Sequence, residues 1–392
     1  MMAGRVVWIV LDSVGMGHAP DAAAYGDDDA NTLAHVAQAA GGLAIPHMAR
    51  LGLARAALLD EWMEKEVTGA YGTMTPQSAG KDTTNGHLEM VGVVLREPMP
   101  VYPQGFPPRI MEPFERAIGS GTLGNIPASG TEIIKRLGDE HVRTGKPIVY
   151  TSGDSVFQLA AHESIVSVER LYEMCRIARE LLQGPDAVGR VIARPFAGPS
   201  GAYARTANRR DFSLDFGPTL LTALERAGVP VVAIGKIEDI YGGRGIARAV
   251  HTSSNQDGVR QILTALGELS APALLFANLV DFDMLYGHRN DPAGFARAIE
   301  AFDDALPDIL RRLREDDVLI ITADHGCDPT TAGTDHTRES VPLLVFAPWM
   351  TRAVALGQRA TFADLGATVA EYFGVSQDAG TSFWPLIREA LR

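Results

Sequence analysis

The stretch Val318-Leu319-Ile320-Ile321-Thr322-Ala323-Asp324-His325-Gly326 decides the fold. Its apolar, β-branched front half reads as a strand buried on both faces, the kind found inside a parallel sheet. Its back half delivers a carboxylate and an imidazole beyond the strand's carboxyl end, where open α/β sheets bind their ligands. Outward from it, similar short apolar runs recur at Val6 to Leu11, Ile148 to Tyr150, Val229 to Ile234, Ala273 to Val280 and Leu343 to Phe346. Amphipathic helical stretches separate several of them. The clearest has Asp291 as N-cap and Pro292 at the first helical position, then Phe295, Ile299, Phe302, Leu306, Ile309 and Leu313 on one face. Pro307 falls inside it, where a kink is expected. Strands alternating with helices predict a layered α/β domain with a mainly parallel sheet.

Residues 97–216 break this pattern. Pro98, Pro100, Pro103, Pro107 and Pro108 lead in, and Pro195, Gly198, Pro199 and Gly201 lead out. This predicts a second domain, 97–216, inserted into a core of 1–96 and 217–392. The 392-residue length fits two or three domains at roughly 150 residues each. With 48 acids against 35 bases, the net charge of -13 argues against a nucleic-acid coat or an anionic-membrane binder. Two cysteines, Cys175 and Cys327, build no disulfide framework, so a reducing cytoplasm is expected. The apolar run after Arg5 ends at Asp12, too soon for a signal peptide core, and no run approaches the ~18 residues of a membrane span.

The strand ends carry the chemistry. The first run ends in Asp12, the run from Ala273 in Asp281 and Asp283, and the run from Val318 in Asp324 and His325. His288 follows Asp283 by five residues, and Asp335-His336-Thr337-Arg338 follows a short loop after His325. A single such Asp most often caps the next helix. So many carboxylates on one edge would repel unless neutralised, and mixed Asp/His ligation suits Mn²⁺, Zn²⁺ or Mg²⁺. Five or six ligands suffice for two ions, the arrangement that clamps attacking and leaving oxygens in phosphoryl transfer. A second polar segment, Ser78-Ala79-Gly80-Lys81-Asp82-Thr83-Thr84-Asn85-Gly86-His87, opens a helix and offers a threonine hydroxyl at an anion-attracting helix N-terminus. It is not a Walker A loop, because the first glycine and the Gly-Lys-Ser/Thr order are absent.

Together, Leu11-Asp12-Ser13-Val14-Gly15-Met16-Gly17, Gly80-Lys81-Asp82-Thr83, Asp283 with Gly287-His288, Thr322-Ala323-Asp324-His325-Gly326 and Asp335-His336-Thr337-Arg338-Glu339 resemble the prokaryotic phosphopentomutase family of the alkaline phosphatase superfamily. The resemblance covers nearly the whole chain. It implies an alkaline phosphatase-like doubly wound core, an inserted α+β cap, and a site between them. It also implies that Asp12, Thr83, Asp324 and His325 hold one Mn²⁺ and Asp283, His288 and His336 a second, with Thr83 the phosphorylated residue. The implied reaction interconverts ribose 1-phosphate and ribose 5-phosphate, and likewise the 2-deoxyribose phosphates, with a sugar bisphosphate as activator. Leu88 departs from the tryptophan common after Gly-His, Thr84-Asn85 is a variable pair, and Cys327 reads as a bystander.

Between Asp186 and Asp211 there is no acid, yet Arg190, Arg194, Arg205, Arg209 and Arg210 fall there. Arginine forks around phosphate, which sets this window apart from a solvated basic face. By resemblance, Arg190 and Arg205, with Asp154 and Lys236, contact substrate. His18, His35, His47, His141, His162 and His251 have no partners in the ligand set and read as surface or packed residues. His87, four residues after Thr83, reads as orienting the loop. A phosphatase on the same fold is the nearest rival; a sulfatase is disfavoured because neither cysteine lies in a Cys/Ser-x-Pro-x-Arg motif, and a metal-dependent phosphoglycerate mutase because it uses serine.

Overall fold

The computed structural model describes residues 4–57, 66–152 and 155–391. The strands follow in order as β1 (Arg5–Leu11), β2 (Ala70–Met74), β3 (Leu123–Pro127), β4 (Ile148–Thr151), β5 (Val156–His162), β6 (Arg190–Ala197), β7 (Ala204–Arg205), β8 (Arg210–Ser213), β9 (Val231–Ile234), β10 (Arg248–Val250), β11 (Ala273–Leu279), β12 (Val318–Thr322), β13 (Val341–Phe346) and β14 (Val354–Arg359). They fall into two sheets, one in each of two compact units. The first unit takes the chain up to Pro98 and from Phe216 onward; the second runs Met99–Asp215.

In the first unit the strand order is β10-β9-β11-β1-β12-β13-β2-β14. Every residue of β1, β11 and β12 is buried, as expected of apolar runs covered on both faces. β13 runs antiparallel to both β12 and β2; the remaining pairings are parallel. One group of packed helices comprises Thr32–Ala40, Asn255–Glu268 and Pro292–Arg311, and another Thr83–Met90, Leu220–Arg226 and Ala363–Phe373. In the long helix Pro292–Arg311 the Asp291 side chain accepts from the Gly294 N–H at 2.8 Å, and the helix runs on through Pro307. Among the described residues no helix is long and apolar enough to cross a membrane.

The second unit is α+β. Its sheet has the order β3-β4-β5-β6-β7, with β8 also on β6, in mixed parallel and antiparallel pairing. Alternation along the strands gives the sheet two apolar faces. Phe157, Leu159 and Val191 pack with Phe114 and Cys175, from the helices Pro108–Ile118 and Val168–Leu181. Tyr150, Ala160 and Phe196 pack with Ile133 and Ile134, from the helix Gly130–Thr144.

Candidate metal centre

Register explains why distant residues meet. β1 pairs with β11 so that Leu11 faces Leu279, and with β12 so that Val10 faces Thr322, which brings the three carboxyl ends to one edge. Asp12 leaves β1 there, Asp283 sits in the π-helical turn Phe282–Tyr286 after β11, and Asp324 and His325 follow β12. Because β13 is antiparallel, with Leu343 facing Thr322, the segment from His336 to Glu339 that precedes it returns to the same edge. β2, whose Met74 faces Val341, releases the loop leading to Thr83 there as well. Ser13 turns the chain with a left-handed φ of 70°, and its N–H donates to Asp324 Oδ1 at 3.1 Å.

Among the described residues three side-chain groups result: Asp12 with Asp324 and His325, Asp283 with His325 and His336, and Asp283 with His288 and Cys327. His325 Nε2 lies 3.4 Å from both Asp12 Oδ1 and Asp324 Oδ2. Asp283 lies 3.3 Å from the Nε2 atoms of His288 and His336. The donor set fits divalent cations, because Asp12 Oδ1, Asp283 Oδ1, Asp324 Oδ2 and His336 Nε2 are buried without a hydrogen-bond partner. Burial, then the neighbouring Asp324, pushes the Asp12 carboxyl well above the usual range. Burial also works against the charge of Asp324, yet His325 and His87 hold it down at about 2. Asp283 is likewise penalised by burial but held far below the usual range by His288 and His336. His325 is pushed down to about 4 by burial, so its imidazole is neutral, whereas Asp283 outweighs burial at His336 and lifts it to about 9.

Thr83 opens the helix Thr83–Met90, and Asp82 caps it by accepting from the N–H groups of Thr84 (2.9 Å) and Asn85 (3.1 Å). Gly86 lets that helix close on the strand end, since a Cβ there would strike the Asp324 carbonyl. Thr83 Oγ1 lies 3.2 Å from His325 Nε2 and accepts from Lys236 Nζ at 3.0 Å. Lys236 Nζ is also 3.9 Å from Asp12 Oδ2, so the structure brings this residue onto the hydroxyl itself. His87 is fully buried; its Nδ1 donates to the Thr83 carbonyl at 2.9 Å and lies 3.1 Å from Asp324 Oδ2.

Three supporting residues escaped the sequence reading. Asn278 Nδ2 donates to Asp12 Oδ2 at 2.9 Å, and its one signal is an amide inside the apolar run of β11. Arg338 donates to the carbonyls of Ser78 (2.7 Å), Gly80 (2.6 Å) and Pro76 (3.0 Å), and Glu89 accepts from the amides of Gln77 and Ser78, so the loop before Thr83 is held from both sides. Arg338 and Glu89 are side chains that a sequence places on the surface, and only their burial reveals the role.

Cys327 Sγ lies 3.9 Å from His288 Nδ1 and 3.6 Å from the Asp335 carbonyl. That Nδ1 donates to the Thr334 carbonyl at 2.6 Å while Nε2 faces Asp283, and the thiol itself stands within 4.8 Å of the Asp283 carboxylate. Burial pushes the thiol well up, against thiolate ligation. The other histidines have local partners: His35 pairs with Asp328 at 2.6 Å, His141 bonds Lys146 and His162, and His251 faces Glu238. Of the four substrate-contact expectations, Arg190 and Arg205 lie in the second unit, where Arg190 pairs with Asp211 at 3.3 Å and Arg205 is exposed. Asp154 lies outside the described residues.

A family model described as the metalloenzyme superfamily matches residues 4–377. The phosphopentomutase of Caldanaerobacter subterraneus subsp. tengcongensis is 56% identical over 385 residues, covering 97% of this chain and 98% of the relative. The phosphopentomutase of Acetivibrio thermocellus is 57% identical over 382 residues, with 97% and 98% covered.

Proposed function

Because the chain belongs to the phosphopentomutase family of the metalloenzyme superfamily and is an isomerase of the intramolecular phosphotransferase type, we propose that it interconverts ribose 1-phosphate and ribose 5-phosphate, and the 2-deoxyribose phosphates, through a phosphorylated Thr83. Asp12, Thr83, Asp324 and His325 hold one Mn²⁺ in this reading, and Asp283, His288 and His336 hold a second. Such ions, when bound, neutralise charge on the phosphoryl group in transfer.

Phospho-Thr83 passes its phosphoryl group to a free sugar hydroxyl: the bond from phosphorus to Thr83 Oγ1 breaks, a bond to the sugar oxygen forms, and the hydroxyl proton is left for Oγ1. The sugar bisphosphate then presents its other phosphate to Thr83, and the reverse step releases the isomer. Lys236 Nζ, 3.0 Å from Oγ1, stabilises negative charge on that oxygen as the bond breaks. Asn278 and Ser13 orient Asp12 and Asp324. Arg190, Arg205 and Asp154 recognise the sugar phosphate, and a sugar bisphosphate charges Thr83. The two buried free cysteines suit the cytoplasm.

The observation that carries this reading is the placing of Thr83 Oγ1 between a neutral imidazole and an ammonium group, beside carboxylates whose buried oxygens lack partners. Phosphorus NMR of the Mn²⁺-loaded protein with ribose 1-phosphate and a trace of sugar bisphosphate tests it. A growing ribose 5-phosphate signal is expected; growth of inorganic phosphate in its place would make water the acceptor and the protein a phosphatase.

A further inference from the structure

In the second unit Tyr150 is fully buried, yet its hydroxyl has no hydrogen-bond partner. Such a group costs free energy unless something occupies it. It sits at the start of the helix Gly130–Thr144, where a Cβ on Gly130 would collide with both Tyr150 Oη and Arg205 Nη2, so hydroxyl and guanidinium crowd the same glycine. Ser129 Oγ accepts from the Glu132 N–H at 3.2 Å, which leaves the N–H groups of Gly130 and Thr131 without an intrahelical acceptor. Arg194 stands on the same face of the sheet, with Nε donating to Gln158 Oε1 at 3.2 Å. Among the described residues no carboxylate lies within ion-pair reach of Arg194 or Arg205, whereas Asp211 takes both Arg209 (2.8 Å) and Arg190 (3.3 Å). Burial, then the like charge of Arg209, drags the Arg194 guanidinium down to about 10, although the Asp211 charge acts the other way.

We propose that Tyr150 Oη, Arg194 and Arg205 form a phosphate-monoester subsite at the N-terminus of this helix. The proposal rests on the sugar-phosphate reading above and adds Tyr150 and Arg194 to it. Arg205 is exposed, and its Nη2 crowds the same glycine as Tyr150 Oη, so an oxyanion forked by this guanidinium would have the phenol as a third donor. Donors from a guanidinium, a phenol and a helix end approach from different directions, which suits the three terminal oxygens of a phosphate better than a planar carboxylate. The phenol stays protonated and able to donate, since burial raises its pKa.

Calorimetric titration of the Mn²⁺-loaded protein with ribose 5-phosphate tests the subsite. Tyr150→Phe and Arg194→Gln should each weaken binding about 10-fold or more, the worth of a hydrogen bond to a charged group, and raise KM in proportion with kcat within about twofold. Because the hydroxyl is unpartnered in the free protein, Tyr150→Phe should leave the thermal midpoint unchanged or raise it, unlike the loss of a structural hydrogen bond. Binding within twofold of the parent in both variants, or no measurable binding by the parent, overturns the subsite. Release of inorganic phosphate from ribose 1-phosphate by the parent overturns the mutase reading, and the titration still decides the subsite.

Discussion

Glu89→Gln isolates the loop that presents Thr83 without touching a candidate ligand. The Glu89 carboxylate is fully buried. Oε1 accepts from Gln77 N (2.9 Å), Thr361 Oγ1 (2.6 Å) and Phe362 N (3.0 Å), and Oε2 from Gln77 N (3.0 Å) and Ser78 N (2.6 Å). Glutamine must put an NH₂ where one oxygen stood. At Oε1 it would confront three donors, so the cheaper orientation places it at Oε2, where Gln77 can still use the remaining oxygen but the Ser78 N–H is stranded. A stranded buried donor costs about 1–3 kcal/mol, and each surviving bond weakens from charged to neutral, so a total near 3 kcal/mol is expected after the relief of uncharging a buried group. At ~2 °C per kcal/mol for a large domain, the thermal midpoint should fall about 6 °C. Scanning calorimetry of the two proteins measures it, with turnover assayed well below the lower midpoint expected to drop because Ser78 leads into Thr83. A midpoint within 1 °C of the parent and unchanged turnover would refute the claim that this carboxylate holds the loop.

Thr83→Ala should abolish mutase turnover in the phosphorus NMR assay while Mn²⁺ binding by calorimetry stays largely intact; retained turnover removes Thr83 as nucleophile. Lys236→Gln should lower kcat ~10²-fold by removing a preorganised charge from Oγ1, and a change confined to KM would return the residue to substrate binding alone. Asn278→Ala frees Asp12 Oδ2 and should weaken Mn²⁺ about 10-fold or more, read by metal titration. Burial lowers the pKa of His141, which donates from Nδ1 to the Lys146 carbonyl and accepts from the His162 N–H at Nε2. Protonation therefore favours the unfolded chain: the contribution is whole above about pH 6.5 and fades as pH falls below it, by at most ~1.4 kcal/mol per pH unit. Hydrogen exchange in the helix Gly130–Thr144 should accelerate in that window, and a flat profile from pH 7 to 5 would contradict it.

What the sequence made legible was whatever depends on runs and strand ends. Val6 to Leu11, Ala273 to Val280 and Val318 to Thr322 are strands because short, largely apolar runs bounded by polar residues are best buried inside a sheet, and their register carries Asp12, Asp283 and Asp324 to one edge. β2 and β14 were not legible: Ala-Tyr-Gly-Thr-Met and Val-Ala-Leu-Gly-Gln-Arg lack such runs, and they become strands through pairing beyond the antiparallel β13. Nor could periodicity reveal that Arg338 and Glu89 are buried, since a charged side chain reads as solvent-facing until its carbonyl or amide partners are known. Cationic residues in the window from Arg190 to Arg210 were visible as a group, but their division was not. Asp211, the acid that ends the window, pairs directly with Arg190 and Arg209 and not with Arg194, a distinction that spacing alone does not carry.

The capping of Thr83's helix bears on how the centre handles charge. A threonine at a helix N-terminus suggests a phosphate held by backbone amides, the usual way such ends bind anions. Here Asp82 has already claimed the N–H groups of Thr84 and Asn85, so its carboxylate occupies the anion's place one residue before the hydroxyl. A phosphoryl group on Thr83 would meet that carboxylate, not free amides, and its charge must be answered elsewhere. Among the described residues the side chains within hydrogen-bond distance of Oγ1 are Lys236 and the neutral His325, which brings no charge of its own. The helix end thus fixes the backbone of Thr83, while stabilisation of the phosphoryl group falls to Lys236 and to whatever cations the unpartnered carboxylates collect. That division would suit the phosphothreonine proposed above, which would have to give its phosphoryl group away as readily as it takes it, because a phosphate locked into a helix N-terminus would be slow to leave.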